Sequence, residues 1–192
     1  DLNGCRIHLM RKGSGEPLLW LHGANGNSTW LPVFDLLAEH YDVIVPEHPG
    51  FGKSEPSENI KDVEDLVYFY RAFLDHMGIS KIHIVGQSLG GWIAAEFAIS
   101  QTHRVNKLVL TAAAGLYVPG AERVDPFMLN QETLIDIMYC DQHLAQAAKE
   151  KSRTDEAQNL FIKNRTAFAR LTWDRFFNPK LQKYLKWIDV PT

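Results

Sequence analysis

Cysteine is scarce: Cys5 and Cys140 are the only two in 192 residues, and they stand far apart. That excludes a disulfide framework and any paired-cysteine metal spacing, and it fits a reduced, cytoplasmic protein with two inert thiols. Long apolar runs are missing as well. No stretch approaches the roughly 18 residues a membrane span requires, and no block of basic residues suggests a membrane surface. At a formal net charge of −3, nucleic acid is not an expected partner. There is no Gly-x-Gly-x-x-Gly, no internal repeat and no low-complexity tract. Gly52-Lys53-Ser54 imitates the end of a phosphate loop, but the Walker spacing needs a glycine where Glu47 stands. No nucleotide, metal or organic cofactor is therefore expected. The first residue is Asp1 rather than methionine, so a preceding strand or signal would lie outside this sequence.

What is present is 45% hydrophobic residues, enough for one sizeable core. Asn3-Gly4 reads as a hairpin turn. Residues 5–10 alternate as a strand, 18–21 form a continuous apolar run of the kind buried on both faces, and 41–45 and 107–111 read as further strands. Between them lies a helix capped by Ser28 and running through Trp30, Phe34 and Leu37 to about His40, with Pro32 in its first turn. A second helix, capped by Asn59, carries Val63, Leu66, Val67, Tyr70, Phe73, Leu74 and Met77 on one face and stops at Gly78. Strands alternating with helices imply an α/β fold with a doubly wound, mostly parallel sheet. From Gly115 the alternation gives way to helical segments such as 132–139 and 144–170, with the charged stretch 148–153 as solvated helix surface. The expected organisation is a core over 1–114, a helical lid or cap over 115–187, and the start of a returning core strand over 188–192.

The chemistry concentrates at Ser88. Residues 82–85 run apolar into Gly86-Gln87-Ser88-Leu89-Gly90-Gly91, and an apolar helix follows from Trp92. Gly-x-Ser-x-Gly alone could occur in any glycine-rich loop; the strand before it and the helix after it give it meaning. Gly86 and Gly90 remove Cβ atoms from a tight strand-to-helix turn. Such a turn strains Ser88 and lifts its hydroxyl above the sheet at a helix N-terminus, which suits a nucleophile. A second loop, His22-Gly23-Ala24-Asn25-Gly26-Asn27, has small residues that let backbone N–H groups point into a site. His22 could be read as a base, but a histidine ending a buried strand is expected to hold its loop by hydrogen bonds, a structural role at the site shared with Gly23.

The Leu21-His22-Gly23 strand end, the loop Pro49-Gly50-Phe51-Gly52-Lys53-Ser54 and the Ser88 elbow resemble, in residues and in order, the α/β-hydrolase superfamily, and the resemblance covers nearly the whole chain. It implies Ser88 as nucleophile, with the backbone N–H groups of Ala24 and Leu89 as oxyanion hole. Glu47 departs from the aspartate often found at its position. The resemblance also implies a catalytic acid and then a histidine after the serine, and no residue here fits either role. His103 follows the elbow helix, and Asp125, Asp141 and His143 fall in the helical segment. The expectation is a fragment whose catalytic acid, histidine and final strands and helices are not in this chain.

Trp92, Phe127, Leu129 and Tyr139 are the expected pocket contacts, although Phe127, Phe161, Phe168, Trp173 and Phe176 are equally explained by helix packing. The implied activity is esterase-like: cleavage of a small, fairly apolar ester or related acyl substrate through an acyl-enzyme, with water as acceptor. Carbon–carbon hydrolysis of ring-cleavage products, a haloperoxidase-like perhydrolase and, outside catalysis, a small-ligand receptor with little turnover stay open. Oligomeric state is not read from the sequence.

Overall fold

Adjacent apolar residues in the central strands serve opposite faces of one sheet, and this decides the architecture. The computed structural model describes residues 1–2, 4–122 and 124–192. Strands β1 (Leu9–Lys12), β2 (Glu16–Leu21), β3 (Tyr41–Pro46), β4 (Ile82–Gln87) and β5 (Val105–Thr111) form a sheet of order β1-β3-β2-β4-β5. Only β1 runs antiparallel, against β3; the other pairs are parallel. Leu19, Leu21, Ile44 and Ile84 point to helices α2 (Val63–His76) and α3 (Leu89–Ser100), whereas Leu18, Val43, Val45 and Val85 meet Phe34 of helix α1 (Pro32–Ala38). Burial on both faces is why these strands read as unbroken apolar runs. Helix α3 is buried nearly all round, while α2 docks one apolar face.

The sheet order reverses at β2. The chain passes from β2 to β3 on one side and then crosses to β4 on the other, so the carboxyl ends of β2 and β4 flank a topological switch point, where open α/β sheets place their ligands.

Several boundaries differ from the sequence reading. Asp62, not Asn59, caps α2, its carboxylate accepting from the Asp65 N–H at 2.9 Å. Helix α1 begins at Pro32 behind Leu31 and ends at Ala38, so Ser28 does not cap it; the Ser28 hydroxyl donates instead to Glu47. The first regular strand starts at Leu9 rather than residue 5, and Cys5 pairs with Leu2 in a short bridge around Gly4. Asn3, the other half of the expected turn, lies outside the described residues. Pro17 falls inside β2, opposite Asp42 of β3 and one residue before pairing with β4 begins, so its missing N–H costs no pairing with β4.

Beyond Gly115 the described residues form helices α4 (Gln131–Met138), α5 (Gln142–Ser152), α6 (Asp155–Thr172) and α7 (Leu181–Tyr184), with 3-10 turns at Pro126–Met128 and Leu185–Trp187. The expected single helical stretch over 144–170 is two helices, because the Thr154 hydroxyl accepts from the Ala157 N–H and restarts the chain. The charged run is not wholly solvated either: Lys149 Nζ lies 2.6 Å from Asp136 Oδ1 and ties α5 to α4. This segment leaves and returns at one place. The Gly115 carbonyl accepts from the Asn178 N–H at 2.9 Å, and the Asn178 side chain donates to Glu96 on α3. At the chain's end the Pro191 carbonyl accepts from the Leu108 N–H at 2.9 Å, beside β5. Among the described residues no helix is long and apolar enough to cross a membrane.

Candidate active site

Ser88 sits between the last residue of β4 and the first of α3 with φ 52° and ψ −114°, a backbone conformation that side chains other than glycine rarely adopt. Its surroundings hold it there. The Ser88 N–H donates to the Thr111 carbonyl at 3.0 Å, and its own carbonyl accepts from the N–H groups of Trp92 and Ala114 at 3.1 and 3.0 Å. Bonds on both sides over-determine a strained residue, the condition under which such strain persists. The half-buried Ser88 hydroxyl caps nothing in the helix it precedes.

Neither flanking glycine needs positive φ; both are required by space. A Cβ on Gly90 would lie 2.0 Å from the Leu21 carbonyl oxygen, and one on Gly86 would lie 2.5 Å from the Gly90 carbonyl oxygen. The elbow is therefore pressed against the end of β2. A Cβ on Gly23 would come within 3.2 Å of Ser88 Cβ, so the loop after β2 reaches the serine side chain.

That loop is a turn closed by the Gly26 N–H donating to the Gly23 carbonyl at 3.0 Å, with Ala24 and Asn25 at its tip. The Ala24 N–H donates to no described residue, and neither does the Leu89 N–H, which as the first N–H of α3 has no intrahelical acceptor. Two uncommitted backbone donors thus belong to the two loops that meet at Ser88. The N-terminus of the twelve-residue α3 adds a field favouring negative charge at the same point.

His22 is turned away from proton transfer by its partners. Its Nε2 accepts from the His48 N–H at 2.9 Å, which leaves Nδ1 protonated and donating to the Gly23 carbonyl at 2.7 Å. The ring lies against that of His48 with centroids 3.7 Å apart and planes tilted by 35°. His48 in turn donates from Nε2 to the His22 carbonyl and accepts at Nδ1 from the Tyr70 hydroxyl. Burial disfavours a charge on either ring: His22 is pushed down to about 4, and His48 falls well below its ordinary value through burial and then the neighbouring His22. Burial likewise raises the Tyr70 phenol well above 10.

Under these loops lies Glu47, fully buried, accepting from the Ser28 hydroxyl at 2.5 Å and the Lys53 N–H at 2.7 Å. His8 Nδ1 is 3.1 Å from the same carboxylate but off the line of a hydrogen bond, so it makes none. Serine, loop and glutamate together tie the ends of β2 and β3.

The expected pocket residues are scattered. Trp92, one turn beyond Ser88, donates its indole N–H to Glu96 and lines a cleft of about 500 Å³ bounded also by Lys61, Arg170 and Lys180; Ser88 does not line it. Phe127 packs against Phe168 and Phe176 at 5.4 and 5.3 Å between ring centroids, as helix packing requires. Leu129 is half-buried, its carbonyl accepting from Arg165, and Tyr139 is exposed at the end of α4. His103 and His143 are both exposed, one in the turn after α3 and the other on α5. Among the described residues no three His, Cys, Asp or Glu side chains are placed to hold a metal ion. Sequence reasoning missed Asn164 of α6, which bonds the loops after both β2 and β3; nothing in an amphipathic helix marks which polar residue is buried.

A sequence model described as the alpha/beta hydrolase fold matches residues 16–184. The chain belongs to the α/β-hydrolase superfamily. Over 151 residues it is 33% identical to the 2-hydroxy-6-oxo-6-phenylhexa-2,4-dienoate hydrolase of Burkholderia cepacia, covering 74% of this chain and 51% of that protein. Over 117 residues it is 36% identical to the dihydrolipoyllysine-residue acetyltransferase component of the acetoin cleaving system of Cupriavidus necator, covering 60% of this chain and 31% of that protein. Among solved structures, a membrane phospholipase A described as a bacterial virulence factor superposes on all of this chain and 66% of its own, with a TM-score of 0.76 and 25% identity. The α/β-hydrolase chain described here thus spans about a third to a half of the length of these two curated relatives.

Proposed function

We propose that the protein containing this chain is a serine hydrolase that attacks a carbonyl carbon with Ser88. The observation that carries the reading is an uncommitted serine hydroxyl on a strained elbow, where two loops bearing free backbone N–H groups meet. The oxygen of Ser88 adds to the carbonyl, the negative charge that develops on the substrate oxygen is received by the Ala24 and Leu89 N–H groups, and collapse expels the leaving group to give an acyl-enzyme. Water then attacks the acyl group and returns Ser88. A histidine, oriented by a carboxylate, takes the serine proton and delivers it to the leaving group; among the described residues no histidine or carboxylate bonds the Ser88 hydroxyl, and both roles are assigned to the rest of the protein.

The substrate proposed is a small, fairly apolar carboxylic ester or related acyl compound. The helical segment 115–187 would act as a lid, its apolar residues roofing the site and setting acyl preference. A second reading, favoured by the likeness to the Burkholderia hydrolase, is hydrolysis of a carbon–carbon bond beside a ketone in a ring-cleavage dienoate. Both use the same nucleophile and oxyanion hole and differ in the leaving group, an alkoxide in one case and a stabilised carbanion in the other.

The test is fluorophosphonate labelling of the whole protein with mass-spectrometric mapping, followed by turnover of p-nitrophenyl esters and of a 2-hydroxy-6-oxo-dienoate. Ser88 is expected to carry the adduct, and Ser88→Ala to lower kcat by about a thousandfold or more while the protein stays folded. Labelling at Ser28 or Ser54 with Ser88 untouched would refute the reading.

A further inference from the structure

Asn164 lies in the middle of α6, 2% exposed, and is separated by more than a hundred positions from everything its amide touches. Its Oδ1 accepts from the Gly52 N–H at 2.8 Å, in the loop after β3. Its Nδ2 donates to the Asn25 carbonyl at 2.5 Å, at the tip of the loop after β2. The amide also lies close to Gly26: a Cβ on that residue, which has φ +78°, would fall 2.5 Å from Asn164 Nδ2. The neighbouring Lys163 makes a different connection. Its ammonium donates to the Gly52 and Ser54 carbonyls and never reaches the loop after β2.

We propose that Asn164 is a positioning residue for the oxyanion hole, fixing the turn Gly23–Gly26 so that the Ala24 N–H stays aimed at the place where the substrate oxygen becomes negative. The proposal rests on the reading of Ser88 as nucleophile. Ala24 and Asn25 form the two central residues of one turn, and that turn's own closure is the single Gly26-to-Gly23 hydrogen bond. His22 Nδ1 steadies the Gly23 carbonyl at the near end of this turn, and the Asn25 amide meets Met138 Sδ at 3.9 Å, but a tip with only these weak or one-sided holds is free to rock. A buried amide that holds Asn25 from outside removes that freedom, and it does so from the helical segment, so the donor geometry depends on α6 being docked. An oxyanion donor is useful only when it is aligned before the charge appears, because it then needs no reorganisation during the reaction.

The chemistry of the amide makes the two contacts separable. Asn164→Ala removes both. Asn164→Asp keeps an acceptor for the Gly52 N–H but replaces the donor facing Asn25 with an oxygen, which repels that carbonyl. Lys163→Met weakens the docking of α6 on the loop after β3 and leaves the Asn25 contact in place.

The experiment uses the whole protein and measures kcat and KM on p-nitrophenyl butyrate, the inhibition constant of an alkyl boronic acid, and amide hydrogen exchange. Asn164→Ala and Asn164→Asp are each expected to lower kcat by about tenfold to a hundredfold with KM little changed, as for a donor displaced by a fraction of an ångström. The boronate, which puts an oxygen into the hole, should weaken by a similar factor, and the Lys163→Met enzyme should stay within about twofold of the parent. The Gly26 amide should exchange at least about tenfold faster in Asn164→Ala, with the thermal transition still cooperative. Recovery of parental kcat in Asn164→Asp, a loss confined to KM, or an equal loss in Lys163→Met would overturn the proposal, because each would assign the effect to helix docking. If Ser88→Ala proves active, the reading of the nucleophile fails instead. The exchange of Gly26 then still decides whether Asn164 holds the turn, an unchanged rate counting against it.

Discussion

The sheet core and the helical segment beyond Gly115 are built on different physics, although one chain forms both. In the core, Leu19, Leu21, Ile44 and Ile84 of the sheet and Leu66 and Leu74 of α2 are at most 1% exposed and pack together on one face, while Val43, Val45 and Phe34, all 0% exposed, pack on the other. In the helical segment Met128, Ile137, Met138, Leu144 and Ile162 are more than half exposed; only a few of its apolar residues, Ala167, Leu171 and Leu181 among them, join the core cluster, and polar contacts such as Asn164 to two loops and Asn178 to Glu96 add to that attachment. Arg165 shows the style of the second region: its guanidinium donates to the carbonyls of Pro126, Phe127 and Leu129 and lies over the Phe161 and Phe127 rings. Apolar burial is non-directional and large in sum, so the core sets stability, while directional polar contacts set where the helices rest. Ser88 lies on the core side of their junction, beside the loop that Asn164 ties to the helical segment.

This contrast can be broken most forcefully by truncating one apolar side chain in each region. Leu74→Ala on α2 is expected to destabilise the protein by about 2–5 kcal/mol through lost burial and a cavity, whereas Ile137→Ser on α4 should stay within about 0.5 kcal/mol of the parent in urea unfolding. Comparable losses from the two would mean that the helices carry as much of the core energy as the sheet does.

Acid sharpens the comparison next, because the adjoining pair His22 and His48 belongs to the core and is buried neutral. A histidine whose folded value is lowered contributes stability that is fully present above its unfolded value near 6.5 and is lost as pH falls toward the folded value. For His22, lowered to about 4, that window runs from about 6.5 down to about 4, and the loss is on the order of 3 kcal/mol. His48 should extend the same trend to lower pH. Urea midpoints across this range should fall steadily in the parent, and the slope should lessen in His48→Asn; a flat profile in the parent would show that water reaches the pair.

A small effect is expected at the ion pair between α5 and α4. Lys149→Met should reduce stability by less than about 1 kcal/mol, since a pair whose carboxylate stays solvated gains little over solvation, and raising salt should erase the difference. A larger, salt-independent loss would point to packing of the lysine stem rather than to its charge.

Much of this molecule could be read without coordinates, for identifiable reasons. The strand runs 18–21, 41–45 and 82–85 were legible because burial on both faces demands consecutive apolar residues, and the elbow was legible because two close backbone approaches, at Gly86 and Gly90, admit only glycine. Local chemistry competed less visibly at helix starts: Asn59, Asp62 and Ser28 are all competent caps, and which is used depends on where each helix meets the sheet. Ser28 was drawn off by buried Glu47, a contact 19 positions away that no local pattern announces.

The same limit applies with more force at the site. Sequence by itself determined that Ser88 stands on a strand-to-helix turn and that a small-residue loop follows β2, since both follow from residue types a few positions apart. Tertiary structure alone decided that His22 is locked by His48 and Tyr70, that the Ala24 loop presses on the elbow, and that Asn164 joins two loops more than a hundred residues away. Hydrogen bonds between distant segments are specified by packing of the whole chain, and a polar residue on a helix gives no sign of whether its partner will be water or another loop.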